Sequence, residues 1–265
     1  MTETTFNPAV IEMLGADITA LRDASFTVVE NVAWSVLPGE FWVVAGQQHS
    51  GKSDLLMHAA GLVTPVRGTC RLFGSDTKEF DETQIAERLR VGFVFADGKL
   101  FSHLTIAENV ALPLRYHKNL TDAEAARAVE LLLELLELTP FANTTPGSLA
   151  SSWRQRAGLA RALVLKPELL LLDNPLGGLG ARHRQWLLKF LEQLATGHEF
   201  FGGYPLTVIV TTDDLRAWQH PKRKFAVLHE GNFSGLGAWN GEEFARSPAV
   251  KELLAEPVET NMNVK

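Results

Sequence analysis

The sequence is short of cysteine, of long apolar runs and of positive charge, and each shortage removes a class of protein. Cys70 is the single cysteine among 265 residues. No disulfide framework can exist, and a reducing compartment is the natural home. No apolar stretch reaches the roughly 18–20 residues that cross a bilayer. If the protein works at a membrane, another chain holds it there. The opening segment, Met1 to Val10, is polar and carries acid, unlike a secretory signal. The net charge of −6 argues against nucleic acid as the main partner. Apolar material is ample: 46% hydrophobic content lets the chain bury a full core in one or two lobes.

One stretch organises the rest. Gly46-Gln47-Gln48-His49-Ser50-Gly51-Lys52-Ser53 fits G-x-x-x-x-G-K-[ST]. Glu40 to Ala45 before it reads as a short buried strand, and Asp54 to Ala60 after it as the first turns of a helix. Strand, Gly-rich loop and helix are the setting in which backbone N–H groups wrap a phosphate chain at a helix N-terminus. Lys52 would reach the β- and γ-phosphates, and the Ser53 hydroxyl would ligate Mg²⁺. His49 reads as a solvent-facing loop residue. Asp54 completes the candidate nucleotide-binding set. Its charge in the first helical turn either complements the helix dipole or repels phosphate, and both readings stand.

Along the chain, Val10–Met13 and Ser25–Val36 read as strands of a β-rich start, and Leu37–Glu40 as a turn. Thr69 to Gly74 is a strand, Asp81 to Arg90 a short polar helix, and Val91 to Phe95 an apolar strand. From Thr105 to Leu165 nearly everything reads helical. Thr121-Asp122-Ala123-Glu124 is a capping-box start, and the leucines of 131–138 are an amphipathic stripe that packs a core. Strands return with Leu169 to Asp173, followed by a helix over 182–195 and a strand over Thr207–Thr211. Phe225–His229 and Asn232–Ser234 form a hairpin across Glu230-Gly231. A last helix spans roughly 241–255.

Leu169-Leu170-Leu171-Leu172-Asp173 carries the second piece of chemistry. An apolar strand ending in an acid, about 120 residues after the phosphate loop, has the form of a Walker B strand whose Asp holds Mg²⁺ through water. With these two motifs and Arg154 to Leu163, the chain resembles the ATP-binding subunits of ABC transporters from about Val10 to Gly235. Within that family, Leu100 to Arg115 looks most like the subunits of MCE-type lipid transporters.

The resemblance implies site residues that this chain does not have. The Gln entering the helical lobe is Ala96. The Leu-Ser-Gly-Gly-Gln signature reads Leu149-Ala150-Ser151-Ser152-Trp153. The Glu after the Walker B Asp is Asn174, the Asp closing the following loop is Gly180, and the switch His is Thr212. The aromatic that stacks on adenine would fall near Ala20, where the sequence shows none. Asn174 cannot take a proton from an attacking water, and general-base help is typically worth about 10²–10⁴-fold. Thr212 cannot replace an imidazole that positions that water. Ala150, Ser151 and Ser152 add Cβ atoms where backbone should approach phosphate, and Trp153 either packs on a partner or blocks it.

The expected fold is therefore α/β: a P-loop NTPase, ABC-type nucleotide-binding domain with a β-rich edge and an inserted helical lobe. The expected division is a core over 9–95 and 166–240, a helical lobe over 96–165, and a C-terminal helix and tail over 241–265. The resemblance implies ATP and Mg²⁺ as cofactors, with hydrolysis weak or absent. An ordinary ATPase using replacement residues, or a structural subunit that no longer binds ATP, are the alternatives. It also implies a transmembrane permease as partner, a second ABC ATPase subunit in a heterodimer rather than a homodimer, and a cytoplasmic location on the membrane face.

Overall fold

The computed structural model describes residues 9–80, 85–118, 120–244 and 246–255. Ten strands form one sheet in the order β5-β4-β1-β2-β10-β9-β3-β8-β7-β6. Its centre is parallel. β3 (Phe41–Gly46) lies between β8 (Thr207–Thr212) and β9 (Lys224–His229), and β7 (Leu169–Leu172) lies between β8 and β6 (Val91–Val94). Every residue of β3, β7 and β8 is buried, which is why β3 and β7 read as unbroken apolar runs. Alternate residues feed opposite faces. Val43, Leu170, Leu172, Val208 and Val210 join one apolar cluster, and Trp42, Val44, Leu169, Leu171 and Ile209 the other.

The β-rich edge is antiparallel: β1 (Ile11–Ala20) pairs with β2 (Asp23–Val36) and with β4 (Thr69–Leu72), which pairs with the two-residue β5 (Ser75–Asp76). The hairpin of β9 and β10 (Asn232–Ala238) turns through Glu230 and Gly231, both with positive φ. That hairpin meets β2 through the register pair Asn232 and Glu30.

Helix α1 (Lys52–Ala59) leaves β3 through the Gly-rich loop. Of the polar helix expected over 81–90, Ile85–Leu89 is helix α2, and 81–84 lie outside the described residues. The region between β6 and β7 is less continuously helical than the sequence suggested. It holds α3 (Ile106–His117), α4 (Asp122–Leu135) and α5 (Ser151–Leu163), separated by 3-10 turns at Thr139–Phe141 and Pro146–Ser148. Each turn has a proline in its first two positions, where a ring without N–H is tolerated and the residue before it is steered away from helix. The capping box expected at Thr121 and Glu124 is present, and Thr105 with Glu108 forms a second one. Leu132, Leu133, Leu136 and Leu138 are buried as the stripe required, whereas Leu131 is exposed.

Helix α6 spans Ala181–Thr196. The single helix expected over 241–255 is two, α7 (Gly241–Phe244) and α8 (Pro248–Leu254). Ser247 is the N-cap residue of the second, without a side-chain cap bond, and Pro248 sits at its first position, where a missing N–H costs nothing.

Helix α5 is pressed against the turn after β6. A Cβ on Gly158 would lie 2.7 Å from the Cα of Gly98, which itself has φ of +77°. Gly158→Ala should therefore destabilise the fold by about 1–3 kcal/mol. Urea unfolding checks this, and an unchanged midpoint would show that the two segments can separate freely.

Candidate functional site

The Gly-rich loop closes on its own lysine. Lys52 Nζ donates to the carbonyls of Gly46 (2.7 Å) and Gln47 and to Ser50 Oγ (3.3 Å). All three donors of the ammonium are thus held inside the loop. Burial pulls the Lys52 pKa below its ordinary value, and Asp213 and Asp173 oppose that pull. At Gly46 a Cβ would lie 2.4 Å from Ser50 Oγ and 2.8 Å from the Leu228 carbonyl, so only glycine allows the loop to wind this tightly. Gln47, Gln48 and His49 are exposed, His49 in a left-handed conformation with φ of 64°.

Asp173, at the end of β7, gathers three segments. Its Oδ2 accepts from Ser53 Oγ (2.7 Å) and its Oδ1 from Thr211 Oγ1 (2.8 Å). Thr211 Oγ1 also accepts from the Asn174 N–H (2.9 Å). The loop, β7 and β8 are thereby joined through one carboxylate. A hydroxyl beside a carboxylate is a hard-oxygen donor pair, and a cation that keeps several waters and takes phosphate oxygens needs no larger protein cage. Among the described residues no cluster of three or more His, Cys, Asp or Glu forms a cage. The donor chemistry fits Mg²⁺.

A cleft of about 690 Å³ opens beside the loop, lined by Gln47, Gln48, Asn174, Gly177, Thr212 and Asp213 among others. Asn174 sits at φ of 42°. The Thr212 hydroxyl is spent locally, donating to the Asp214 carbonyl (2.9 Å) and accepting from the Asp214 N–H (3.0 Å). Ala96 is not among the residues lining this cleft, and its carbonyl accepts from Gln155 Nε2 (3.3 Å). Leu149 to Trp153 are likewise not among the lining residues. Leu149 is buried, Ala150 is the N-cap of α5 without a side-chain cap bond, and Trp153 turns inward onto Phe141 and His183.

Asp54 has a use in the fold that the sequence did not show. Its Oδ1 accepts from the Leu21 N–H (2.8 Å), tying the tip of the β1–β2 hairpin to α1. One turn on, buried His58 places Nδ1 against the Asp54 carbonyl (2.9 Å) and Nε2 against the Thr19 N–H (3.5 Å). The ring can serve both only as the neutral Nδ1–H tautomer. Burial pushes its pKa below the ordinary 6.5. The unfolded chain thus binds a proton that the folded one refuses. Stability is complete above that ordinary value and falls as pH drops below it. His183, also pushed down by burial and then by Arg156, adds to the same slope. His58→Gln should flatten it, as followed by urea midpoints at neutral and mildly acidic pH.

That hairpin also carries an aromatic, Phe26, on its second strand. The register pairs Ala20 with Asp23 and Thr19 with Thr27, which leaves Phe26 in the irregular stretch of β2 between those two pairs. Phe26 is 60% exposed. Two residues along, Val28 approaches the Gly-rich loop, its Cβ 3.4 Å from a Cβ built on Gly51.

With this geometry in place, the comparisons with known proteins bear on it directly. A family model described as "ABC transporter" matches residues 29–177. The chain belongs to the ABC transporter family. It is 36% identical over 217 residues to a sulfate/thiosulfate import ATP-binding protein, CysA, of Mycolicibacterium paratuberculosis, covering 82% of this chain and 57% of the relative. It is 31% identical over 260 residues to the CysA protein of Gloeobacter violaceus, covering 91% of this chain and 74% of that one. Thus the chain spans less than two thirds of the first of these ABC relatives. A solved ABC cassette, a dimer in a post-hydrolysis state with ADP and phosphate, superposes with a TM-score of 0.74 at 26% identity, over 86% of this chain and all of that one. The ABC ATPase fold expected from the sequence is the fold observed.

Proposed function

We propose that this chain is the ATP-binding subunit of an ABC transporter, binding Mg-ATP with Lys52 and Ser53 as principal contacts and hydrolysing it weakly or not at all. The observation that carries the proposal is the joining of Ser53, Asp173 and Thr211 directly beneath a lysine-closed loop at a helix N-terminus. Phosphate oxygens would take over the Lys52 donors, and backbone N–H groups of residues 46–53 would complete the cradle. Bound Mg²⁺ would supply charge neutralisation between the phosphates and the Ser53 and Asp173 oxygens. Weak hydrolysis is supported by Asn174 and by a Thr212 hydroxyl closed on Asp214. Calorimetric titration with ATP and Mg²⁺ tests the binding. No heat at millimolar ATP would leave a purely structural subunit.

Adenine is placed by the same reading on Phe26. Base–aromatic stacking is worth about 1–3 kcal/mol, so Phe26→Ala should weaken ATP by roughly five- to a hundredfold. Binding of inorganic triphosphate should not change. Equal losses for both ligands would show that Phe26 only supports the hairpin.

A division into core (9–95 and 166–240), helical lobe (96–165) and C-terminal segment (241–265) belongs to this proposal, as does a location on the cytoplasmic membrane face. Among the described residues no helix is long and apolar enough to cross a membrane, so a permease would supply the membrane path. It would dock near Phe95 to Phe101, where Asn109 fixes the loop by bonds to the Phe101, Leu104 and Thr105 carbonyls. A homodimer would carry Asn174 twice and lack a base at both sites, which favours a heterodimer with a fully equipped second ATPase. Two copies of this chain, without another ATPase, in a complex purified from native membranes would overturn that. The relatives' names support a small oxyanion as cargo, whereas residues 100–115 alone support lipid. Transport assays with sulfate and with a fluorescent phospholipid separate them.

A further inference from the structure

The chain enters the sheet through two backbone bonds. The Val10 N–H donates to the Val36 carbonyl (2.7 Å), and the Phe73 N–H donates to the Val10 carbonyl (2.8 Å). Val10 is thereby fixed between the end of β2 and the turn after β4, so the residues before it depart from one fixed place. That place is the rim of a cavity of about 450 Å³, because Ala9 and Val10 both line it. Glu168, directly before β7, and Thr207, which opens β8, are also in its wall. The phosphate loop and Asp173 follow the opposite ends of these parallel strands.

The remaining wall is aromatic and proline-rich: Phe73, Phe201 and Tyr204 with Pro38, Pro167 and Pro205. Phe73 is backed by the Arg90 guanidinium, 3.6 Å from its ring centroid. Arg90 is itself held by Glu87 (2.6 Å) and Glu168 (2.7 Å). Tyr204 stands on a loop turned by Gly197, Gly202 and Gly203, all at positive φ. A Cβ on Gly197 would lie 2.3 Å from the Gly203 carbonyl oxygen, so the loop closes on itself and presents Tyr204 outward, 79% exposed. An apolar cavity edged by an exposed ring is stabilised by an aromatic or proline side chain laid across it.

Position along the chain selects the occupant. Thr5-Phe6-Asn7-Pro8 immediately precede Ala9 and lie outside the described residues. Phe6 is three residues from Ala9, a span of at most about 10 Å. Pro8 steers Asn7 to extended backbone, and in an extended segment Phe6 and Pro8 share one side. A side chain tethered this closely competes for the cavity at an effective concentration of millimolar order. We propose that Phe6 and Pro8 occupy the cavity against Tyr204 and Phe73, making residues 6–9 a strap that fastens the edge strand β1 to the segments entering β7 and β8. The strap works at the end of the sheet away from the phosphate loop and stands independently of the nucleotide-binding reading.

Fluorine NMR of the full chain tests it. The sequence has two tyrosines, Tyr116 and Tyr204, so fluorotyrosine labelling gives two resonances, assigned by Tyr204→Phe. Tyr116 on α3 is 77% exposed and serves as the internal reference. In wild type the Tyr204 line should stand apart from its position in urea. Phe6→Ala, and separately deletion of residues 2–7, should move it most of the way to that position and leave Tyr116 unmoved. Phe6→Trp should hold it near the wild-type position. Circular dichroism checks folding, and the deletion keeps the test decisive if the point variant fails to fold. A Tyr204 line that neither folded variant moves would overturn the strap. So would a wild-type line that moves on dilution, since a second copy of the chain would then be the occupant.

Discussion

Lys52→Ala is expected to lower the affinity for Mg-ATP by roughly thirty- to several-thousand-fold. The reasoning starts from the donors. Lys52 is 9% exposed, and its ammonium bonds Gly46, Gln47 and Ser50. A phosphate oxygen entering the loop exchanges those neutral acceptors for a charged one, and charge-assisted bonds are about twice as strong. Truncating one member of a buried, hydrogen-bonded charge pair costs about 2–5 kcal/mol, with tenfold in affinity per 1.4 kcal/mol. The substitution also removes the loop's own ties, so thermal unfolding should accompany the calorimetric titration. A lost affinity with a preserved melting temperature isolates the phosphate contact. An affinity equal to wild type would show that nucleotide does not bind in this loop.

The second large effect concerns turnover, and it is expected not to appear. Wild type should hydrolyse ATP far below the ~1–10³ s⁻¹ of typical enzymes. Asn174→Glu alone should leave it there, although a general base is worth about 10²–10⁴-fold. A carboxylate at 174 would still face a cleft in which the Thr212 hydroxyl is committed to Asp214. No imidazole is present there to fix the attacking water. Residues acting as one catalytic unit are strongly non-additive, so restoring one restores little. Single-turnover phosphate release measures this. Full rescue by the lone Glu would mean that Thr212, Ala96 and Ala150 never limited the reaction.

Local signals carried most of the fold. The buried runs of β3 and β7, the loop from Gly46 to Ser53 and the Thr121 capping box all depend on neighbours within a few residues. The Thr105-Ile106-Ala107-Glu108 box has the same Thr-x-x-Glu spacing as the one at Thr121, so its signal was present although only the second was singled out. What escaped was set by distant pairing. Phe26 lies in an irregular stretch of the β1–β2 register, between the pairs Thr19–Thr27 and Ala20–Asp23, which alternation alone cannot place. Thr211 reaches Asp173 across 38 residues, and His183 reaches Arg156 across 27. Asp54 offered two electrostatic readings. Its observed bond to Leu21 needs the hairpin to be folded over α1, which no spacing along the chain announces.

The meeting of β2 with β10 at Asn232 and Glu30 acts as a seam. On one side lies the edge that bears Phe26, on the other the sheet that bears the phosphate loop. Asp54 and His58 stitch across it from α1. Ladders with few cross-bonds open before the sheets they connect. A ligand whose base rests on one side and whose phosphates rest on the other would suture that seam, and its binding would be felt as protection of backbone amides in β1 and β2, far from any phosphate oxygen.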